Sequence, residues 1–256
     1  MKSIDHHFSK IAGQYENLRT TDIEPIMFIK NKLNNKERIN AADIGCGTGR
    51  YDLKLFQYLN NEIFLIGIDR NKNMLREISK KISPKQSDKF KLVNASLEKL
   101  PISDSCLDCI FSFNALHHFK LSIFLKEASR ILKKNGFLFI YTRLRSQNKR
   151  NIWGKFFPEF HEKEIRLYES DHLKKCIEKI QLLELDTVKF FQYERKASLE
   201  WLETLARHHH YSTFYLYDEQ EFEEALVQFR DNLVDHFNNL NEIKWYDENV
   251  MLLIRN

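Results

Sequence analysis

Ile39-Asn40-Ala41-Ala42-Asp43-Ile44-Gly45-Cys46-Gly47-Thr48-Gly49-Arg50 is a short apolar run that ends in three glycines within five residues. The whole chain of 256 residues holds seven glycines, so this concentration requires a local cause. Glycine is needed where the backbone turns to positive φ or where a ligand must come close to the main chain. A strand, a glycine turn and a helix start gather free backbone N–H groups and the positive end of the helix dipole at one point. Such a point suits an anion or a nucleotide-like cofactor. Gly45, Cys46, Gly47, Thr48 and Gly49 are therefore candidate cofactor contacts. Asp43, just before them, is placed to brace the loop or to meet a cationic amine.

Outward from this stretch the chain alternates strand-like and helix-like segments. Strands are expected at 39–44, 63–68, 90–93, 107–113 and 136–142, with helices near 51–59, 73–82 and 121–132. The strands are nearly continuous apolar runs, as in a parallel sheet covered on both faces. Lys133-Lys134-Asn135-Gly136 reads as a helix stop, with Gly136 as a left-handed cap. Residues 182–193 and 242–254 add two strands, and 196–207 and 219–237 two amphipathic helices. The expected fold is α/β, a doubly wound, mostly parallel seven-stranded sheet with helical lid insertions. In such a sheet the ligand lies beyond the carboxyl ends of the strands, at the switch point after the first. The pattern predicts one domain over 1–256. Its parts are a helical cap (1–37), a cofactor-binding core (38–143), a lid with insertions including strand 182–193 (144–241), and a terminal strand (242–256).

Charged residues make up 30% and hydrophobic residues 43%, a balance that excludes global disorder. The net charge of +4 and isoelectric point near 8.7 suit a nucleic-acid partner without requiring one. No apolar run approaches the roughly 18 residues of a membrane-spanning helix, and the first residues lack the apolar centre of a signal peptide. A cytoplasmic location is expected, and the four cysteines agree with it. Cys106-Leu107-Asp108-Cys109 has zinc-like spacing but no second pair, and the alternative is a pair of structural thiols. No metal site is expected.

The glycine spacing is Gly-x-Gly-x-Gly rather than the Gly-x-Gly-x-x-Gly of dinucleotide folds. Asp69, in Gly67-Ile68-Asp69-Arg70, stands about 20 residues further on, where a carboxylate accepts hydrogen bonds from a ribose diol. Its alternative role is to cap a helix over 71–82. Together these stretches resemble class I S-adenosylmethionine-dependent methyltransferases, of the subgroup acting on small molecules. Asp43–Gly49 is similar to their first motif and Gly67–Leu75 to the second. Leu97-Glu98-Lys99-Leu100-Pro101 followed by Asp104–Phe111, then Phe113–Phe119 and Ile131–Phe137, continue the series in order. The resemblance covers roughly residues 5–143. It implies a Rossmann-like methyltransferase fold with S-adenosylmethionine as cofactor. By the same resemblance the glycines admit the methionine moiety, Asp69 binds the ribose, and Arg70 and Met74 flank the adenine. Ser96 stands where the family usually carries an acidic or amide residue, with the Leu97 N–H as a substitute. Asn114 meets the cofactor amine, and Tyr15 matches a cap tyrosine.

On the acceptor side, His117 follows the fourth strand and is the candidate base; the alternative is a packed histidine. Arg143, just past the fifth strand, is placed to hold an acidic acceptor group. The segment Arg207-His208-His209-His210-Tyr211-Ser212-Thr213-Phe214-Tyr215 is dense in imidazole and phenol groups, suiting an acceptor wall, a packed segment or, less well, a metal site. Tyr15, His117, Arg143 and Tyr211 are the residues assigned to transfer. The expected reaction is in-line methyl transfer to a small organic acceptor. One alternative is an RNA (tRNA) methyltransferase, with the basic run Arg143–Arg150 tracking phosphates and Trp153, Phe156 and Phe157 stacking on bases. Others are a regulatory protein that binds S-adenosylmethionine without catalysis, and a nicotinamide-dependent dehydrogenase. The sequence leaves oligomeric state open and implies no membrane partner.

Overall fold

The computed structural model describes residues 9, 12–13, 18–59, 62–84 and 86–256. Its contacts divide the chain into two compact units. A sheet unit comprises Thr20–Thr142, Ser170–Lys189 and Val250–Asn256, and a helical unit comprises the described residues up to Arg19, Arg143–Glu169 and Phe190–Asn249.

The sheet unit is built from α1 (Glu24–Leu33), β1 (Arg38–Ile44), α2 (Arg50–Tyr58), β2 (Glu62–Asp69), α3 (Lys72–Ser79), β3 (Phe90–Asn94), β4 (Leu107–Phe113), α4 (Leu121–Ile131) and β5 (Leu132–Thr142). Strands β1 to β5 pair in parallel, with β1 between β2 and β4. The full strand order is β3-β2-β1-β4-β5-β7-β6, where β6 is Glu184–Ala197 and β7 is Ile243–Arg255. β7 runs antiparallel to β5, so the expected mostly parallel sheet of seven strands is present. From β1 the chain winds first toward β2 and later toward β4, which opens a crevice at the carboxyl end of β1. The glycine loop occupies that end.

Burial follows the hydrophobic pattern. β4 buries Cys109, Ile110 and Phe111 completely, and α4 buries Leu121, Phe124, Leu125 and Ala128 at helical spacing. Two local expectations need correction. α4 stops at Ile131, and Asn135, not Gly136, adopts the left-handed conformation (φ 62°). Residues 132–135 already belong to β5, where the register shifts between Leu107 and Cys109 of β4. The Asn135 N–H donates to the Asn256 carbonyl at 2.7 Å, which offsets the turn. Gly136 is instead a site of close approach, where a Cβ would lie 2.8 Å from the Lys133 carbonyl.

The helical unit contains α5 (Arg145–Arg150), α6 (Ile152–Phe156), α7 (Phe160–Lys163), α9 (Leu199–Arg207) and α10 (Glu219–His236), with the outer parts of β6 and β7; α8 (Ser170–Glu178) belongs to the sheet unit. α9 begins three residues later than its amphipathic pattern suggests. β6 continues through Ala197, and the Ser198 hydroxyl then caps the helix by accepting from the Trp201 N–H. α10 starts with a reciprocal capping box between Asp218 and Glu221. This unit has its own aromatic core of Trp153, Phe157, Phe160, Phe214, Phe222 and Phe229. No described helix is long and apolar enough to cross a membrane.

Asp108 joins three strands of the sheet unit. Its carboxylate accepts the Asn40 N–H of β1 at 2.9 Å and Lys133 Nζ of β5 at 3.0 Å. Partial burial opposes ionisation, but the Asn40 and Lys133 bonds prevail and hold Asp108 below the ordinary carboxylate range. Its stabilisation is therefore complete above the unfolded-state value and is lost on acidification. Asp108→Ala should cost about 1–3 kcal/mol in urea unfolding at neutral pH. The gap from the parent protein should narrow as the pH falls from about 5 toward 3. A gap that widens in acid would contradict this account.

Candidate functional site

The loop after β1 is folded by its own backbone and by β2. The Gly45 and Cys46 N–H groups both donate to the Ile68 carbonyl, at 2.8 and 3.1 Å, and the Gly49 N–H donates to the Cys46 carbonyl. Gly47 (φ 56°) and Gly49 (φ 73°) both adopt the left-handed region, for different reasons. A Cβ on Gly49 would collide with the Ile78 side chain of α3, whereas one on Gly47 would project into open space. Gly49 is thus a packing requirement, and Gly47 leaves a bare backbone facing outward.

Asp69, at the end of β2, locks this arrangement. One carboxylate oxygen accepts the Gly47 N–H at 3.0 Å and the other accepts the Asn71 N–H at 2.7 Å. Asp69 does not cap α3; the Asn71 side chain does, accepting from the Asn73 and Met74 N–H groups. Asn94 Nδ2 donates to the Asp69 and Arg70 carbonyls, fixing the β2–α3 turn from β3. Of the residues expected to flank an adenine, Arg70 is exposed and Met74 is buried on α3 with Leu75 and Ile78. Ser96 is exposed and Leu97 buried. Glu98 is held below the ordinary carboxylate range first by its own backbone N–H and then by the Ser96 hydroxyl.

A pair of carboxyl groups lies at the base of the loop. Asp43 (2% exposed) is the penultimate residue of β1, and Asp52 (0%) lies in the first turn of α2 beside buried Tyr51. The two carboxyl groups act on each other, and a proton shared between them is the arrangement that lets both stay buried. No described N–H or O–H donor reaches either Asp52 oxygen or Asp43 Oδ1. Burial, the Asp52 charge and the Asp69 charge push Asp43 well up, and burial pushes Asp52 up to about 7. Burial and these same carboxylates also raise the Cys46 thiol. Thr48 Oγ1 is buried without a described partner. The sequence reading identified Asp43 but missed Asp52. The available signal was an acidic residue on the inward side of a helix that also buries Tyr51 and Leu55.

At the end of β4, Asn114 adopts a left-handed conformation (φ 53°), and its N–H donates to the Tyr141 carbonyl at 2.7 Å. A non-glycine residue held there is a strained position of the kind found at ligand sites. The buried Tyr51 ring stacks on Phe113 with centroids 4.4 Å apart, and its hydroxyl bonds the Asp22 backbone and the Asn114 side chain. Tyr141 Oη donates to Asp22 at 3.3 Å. Tyr51, Asp22 and Tyr141 were not anticipated from sequence. His117 is in the short 3₁₀ turn Leu116–His118, half-buried, its ring 3.9 Å from that of His118.

In the helical unit, Arg143 and Tyr211 come together. Arg143 donates to the Tyr211 hydroxyl at 3.2 Å, and its guanidinium lies 5.5 Å from the ring centroid. It also donates to the Glu248 carbonyl and pairs with Asp247 at 3.1 Å. Tyr15 lies outside the described residues. The three histidines have separate environments. His208 is exposed and His209 is half-buried against Tyr215 and Phe222, whereas His210 is buried against Trp153 and Tyr211. Burial, and then Arg19 and Arg143, depress His210 well below the usual imidazole range, so it is neutral. Among the described residues no group of histidines, cysteines and carboxylates could hold a metal ion. Of the residues expected to stack on bases, Trp153 and Phe157 are core residues, each 2% exposed, and Phe156 is partly buried against that core. Arg150 of the basic run pairs with Glu248 at 2.6 Å.

Comparison with known proteins agrees with this geometry. Residues 42–140 match the family model described as "Methyltransferase domain". A Dictyostelium discoideum protein named as a methyltransferase is 27% identical over 138 residues, covering 54% of this chain and 49% of its own. The malonyl-[acyl-carrier protein] O-methyltransferase of Legionella pneumophila is 27% identical over 142 residues, with the same coverage. This chain thus spans about half the length of these curated relatives. The YcgJ protein of Bacillus subtilis shares the fold, with TM-score 0.67 at 14% identity, covering 91% of this chain and 98% of its own. Residues 42–140 carry a methyltransferase domain of the class I S-adenosylmethionine-dependent kind, and the cofactor of that family is S-adenosylmethionine. The residues present fit it: Gly47 leaves a bare backbone, and Asp43 and Thr48 bring buried polar atoms without described partners to the same loop.

Two outcomes follow from the loop. Gly49→Ala should lower stability by at least about 2 kcal/mol, combining backbone strain with a clash. Gly47→Ala should cost only about 1–2 kcal/mol but weaken S-adenosylhomocysteine binding at least tenfold in calorimetry. Equal stability losses would refute the distinction. The carboxyl pair holds protons more tightly folded than unfolded, so its contribution to stability falls as pH rises from about 4 to about 7. Asp52→Asn should flatten this slope and be at least as stable as the parent at pH 8. An unchanged slope, read as the difference between the two urea midpoints across pH, would argue against a shared proton.

Proposed function

We propose that this protein transfers a methyl group from S-adenosylmethionine to a small organic acceptor by in-line displacement. The observation that carries this reading is the braced glycine loop with Asp69 at the end of β2, inside a sheet whose switch point lies at that loop. When bound, the cofactor supplies a methyl group activated by a positively charged sulfonium. The protein's task is then alignment and exclusion of water, where orientation supplies roughly 7–11 kcal/mol of the barrier.

In this reading Gly45, Cys46, Gly47, Thr48 and Gly49 receive the methionine moiety along their backbone. Asp43 faces its ammonium group, with Asn114 as a further polar contact. Asp69 already holds the loop, and its remaining acceptor capacity serves the ribose hydroxyls. Arg70, Met74, Ser96 and Leu97 border the adenine. His117 takes the acceptor proton where one must be lost, while Tyr15, Arg143 and Tyr211 contact the acceptor. The burial of Trp153 and Phe157 supports a small acceptor over a nucleic acid, because the aromatic platforms a single strand needs are inside a core. All four cysteines are free thiols, which supports the cytoplasmic reading.

The test is calorimetry with S-adenosylhomocysteine, then a screen for transfer of tritiated methyl from S-adenosylmethionine to fractionated small metabolites and to RNA. Binding with label in a small-molecule fraction is expected; exclusive labelling of RNA, or no cofactor binding, would overturn the proposal. With the acceptor in hand, His117→Ala should lower kcat by roughly 10²-fold or more while leaving cofactor affinity largely intact. Unchanged turnover would remove His117 from the mechanism.

A further inference from the structure

Within the helical unit, two guanidinium groups converge on one tyrosine ring. Arg19 lies 4.2 Å from the Tyr211 ring centroid and Arg143 5.5 Å from it, with Arg143 also bonded to the hydroxyl. Arg195 joins them through Asp247, whose two oxygens lie 3.1 Å from Arg143 and 3.5 Å from Arg195. These groups are half-buried: the Arg143 side chain is 10% exposed and that of Arg195 19%. Like charges held together in a partly desolvated place repel more strongly than in water. A cation–π contact returns only about 0.5–1 kcal/mol at an exposed site and about 2 when desolvated. The positive field is felt next door, where Arg19 and Arg143 add to burial in keeping His210 neutral.

The cluster is built on a rigid support. Buried Glu164 takes Arg166 through two oxygens and also accepts the Thr213 hydroxyl at 2.6 Å, and Arg166 donates to Ser212. These bonds fix the two residues that follow Tyr211. Guanidinium groups in fixed orientation are suited to bidentate recognition of planar or tetrahedral oxyanions. Asp247 balances one of these charges, and an arriving oxyanion adds a second negative group facing Arg143 and Arg19.

We propose that Arg19, Arg143 and the hydroxyl of Tyr211 form the recognition site for a carboxylate or phosphate group carried by the methyl acceptor. This assignment rests on the methyltransferase reading above and narrows its acceptor to an anionic small molecule. Asp247 and Arg195 act as positioning residues, holding the Arg143 side chain through an ion-pair chain.

Matched probes test it. The protein saturated with S-adenosylhomocysteine is titrated calorimetrically with benzoate against benzamide, and with phenyl phosphate against phenol. At least one oxyanion should bind ten times or more tighter than its neutral partner, and the better of the two names the group. The preference should weaken with added salt and fall at least tenfold in Arg19→Gln and in Arg143→Gln, with partial recovery in the lysine variants. Equal binding of charged and neutral probes to the parent protein, no binding of any probe at millimolar concentration, or a preference that survives both glutamine variants would overturn the proposal. The parent comparison does not depend on any variant folding. Loss of S-adenosylhomocysteine binding would instead indict the underlying reading, and the same titrations without it would still decide the arginine site.

Discussion

The two-armed hydrogen bond of Asp69 is the constraint on which the cofactor loop depends. One oxygen holds the Gly47 N–H and the other the Asn71 N–H, so a single carboxylate ties the loop after β1 to the turn that starts α3. Bonds to an ionised acceptor contribute about 1.5–3 kcal/mol each, more than neutral ones. With the tether in place, Asn71 is free to cap α3, Ile78 of that helix packs against Gly49, and the Gly47 backbone faces outward. The loop is therefore braced by the protein's own bonds, which lowers the ordering cost of binding a ligand.

Charge is distributed unevenly around this plan. Asp43, Asp52 and Asp69 surround the glycine loop in the sheet unit, and burial keeps a proton on the inner pair. The helical unit gathers Arg19, Arg143 and Arg195 around Tyr211 and Asp247. A net charge of +4 conceals both. The acidic environment complements a cofactor bearing an ammonium and a sulfonium, and the basic one complements the anionic acceptor proposed above. One chain thus carries fields of opposite sign, a source of specificity more than of raw affinity.

The fold was largely readable along the chain, because its signals are local. β4 spans Leu107–Phe113, matching its apolar run residue for residue, and β1, β2 and β3 differ from their runs only by a flanking residue or two. The misreadings were local competitions between plausible signals. Gly136 looked like a helix cap, but Asn135 also tolerates the left-handed region, and the bond from Asn135 to the Asn256 carbonyl favoured it. Under the RNA alternative the aromatic run near Trp153 offers a stacking surface, yet Trp153 and Phe157 fill the core of the helical unit and Phe156 packs against it. Sequence spacing does not say which side of a short helix is covered.

The local spacing of the glycines pointed to a nucleotide-like cofactor, and the resemblance carried by the ordered motifs between residues 43 and 137 implied S-adenosylmethionine. The pairings that give the site its character were invisible there. Asp43 meets Asp52 because α2 folds back beneath the loop, and Arg143 meets Tyr211 across 68 positions of sequence. Such contacts arise where the chain crosses itself. No periodicity, cap or motif records which distant charges will share a buried proton or bracket the same ring.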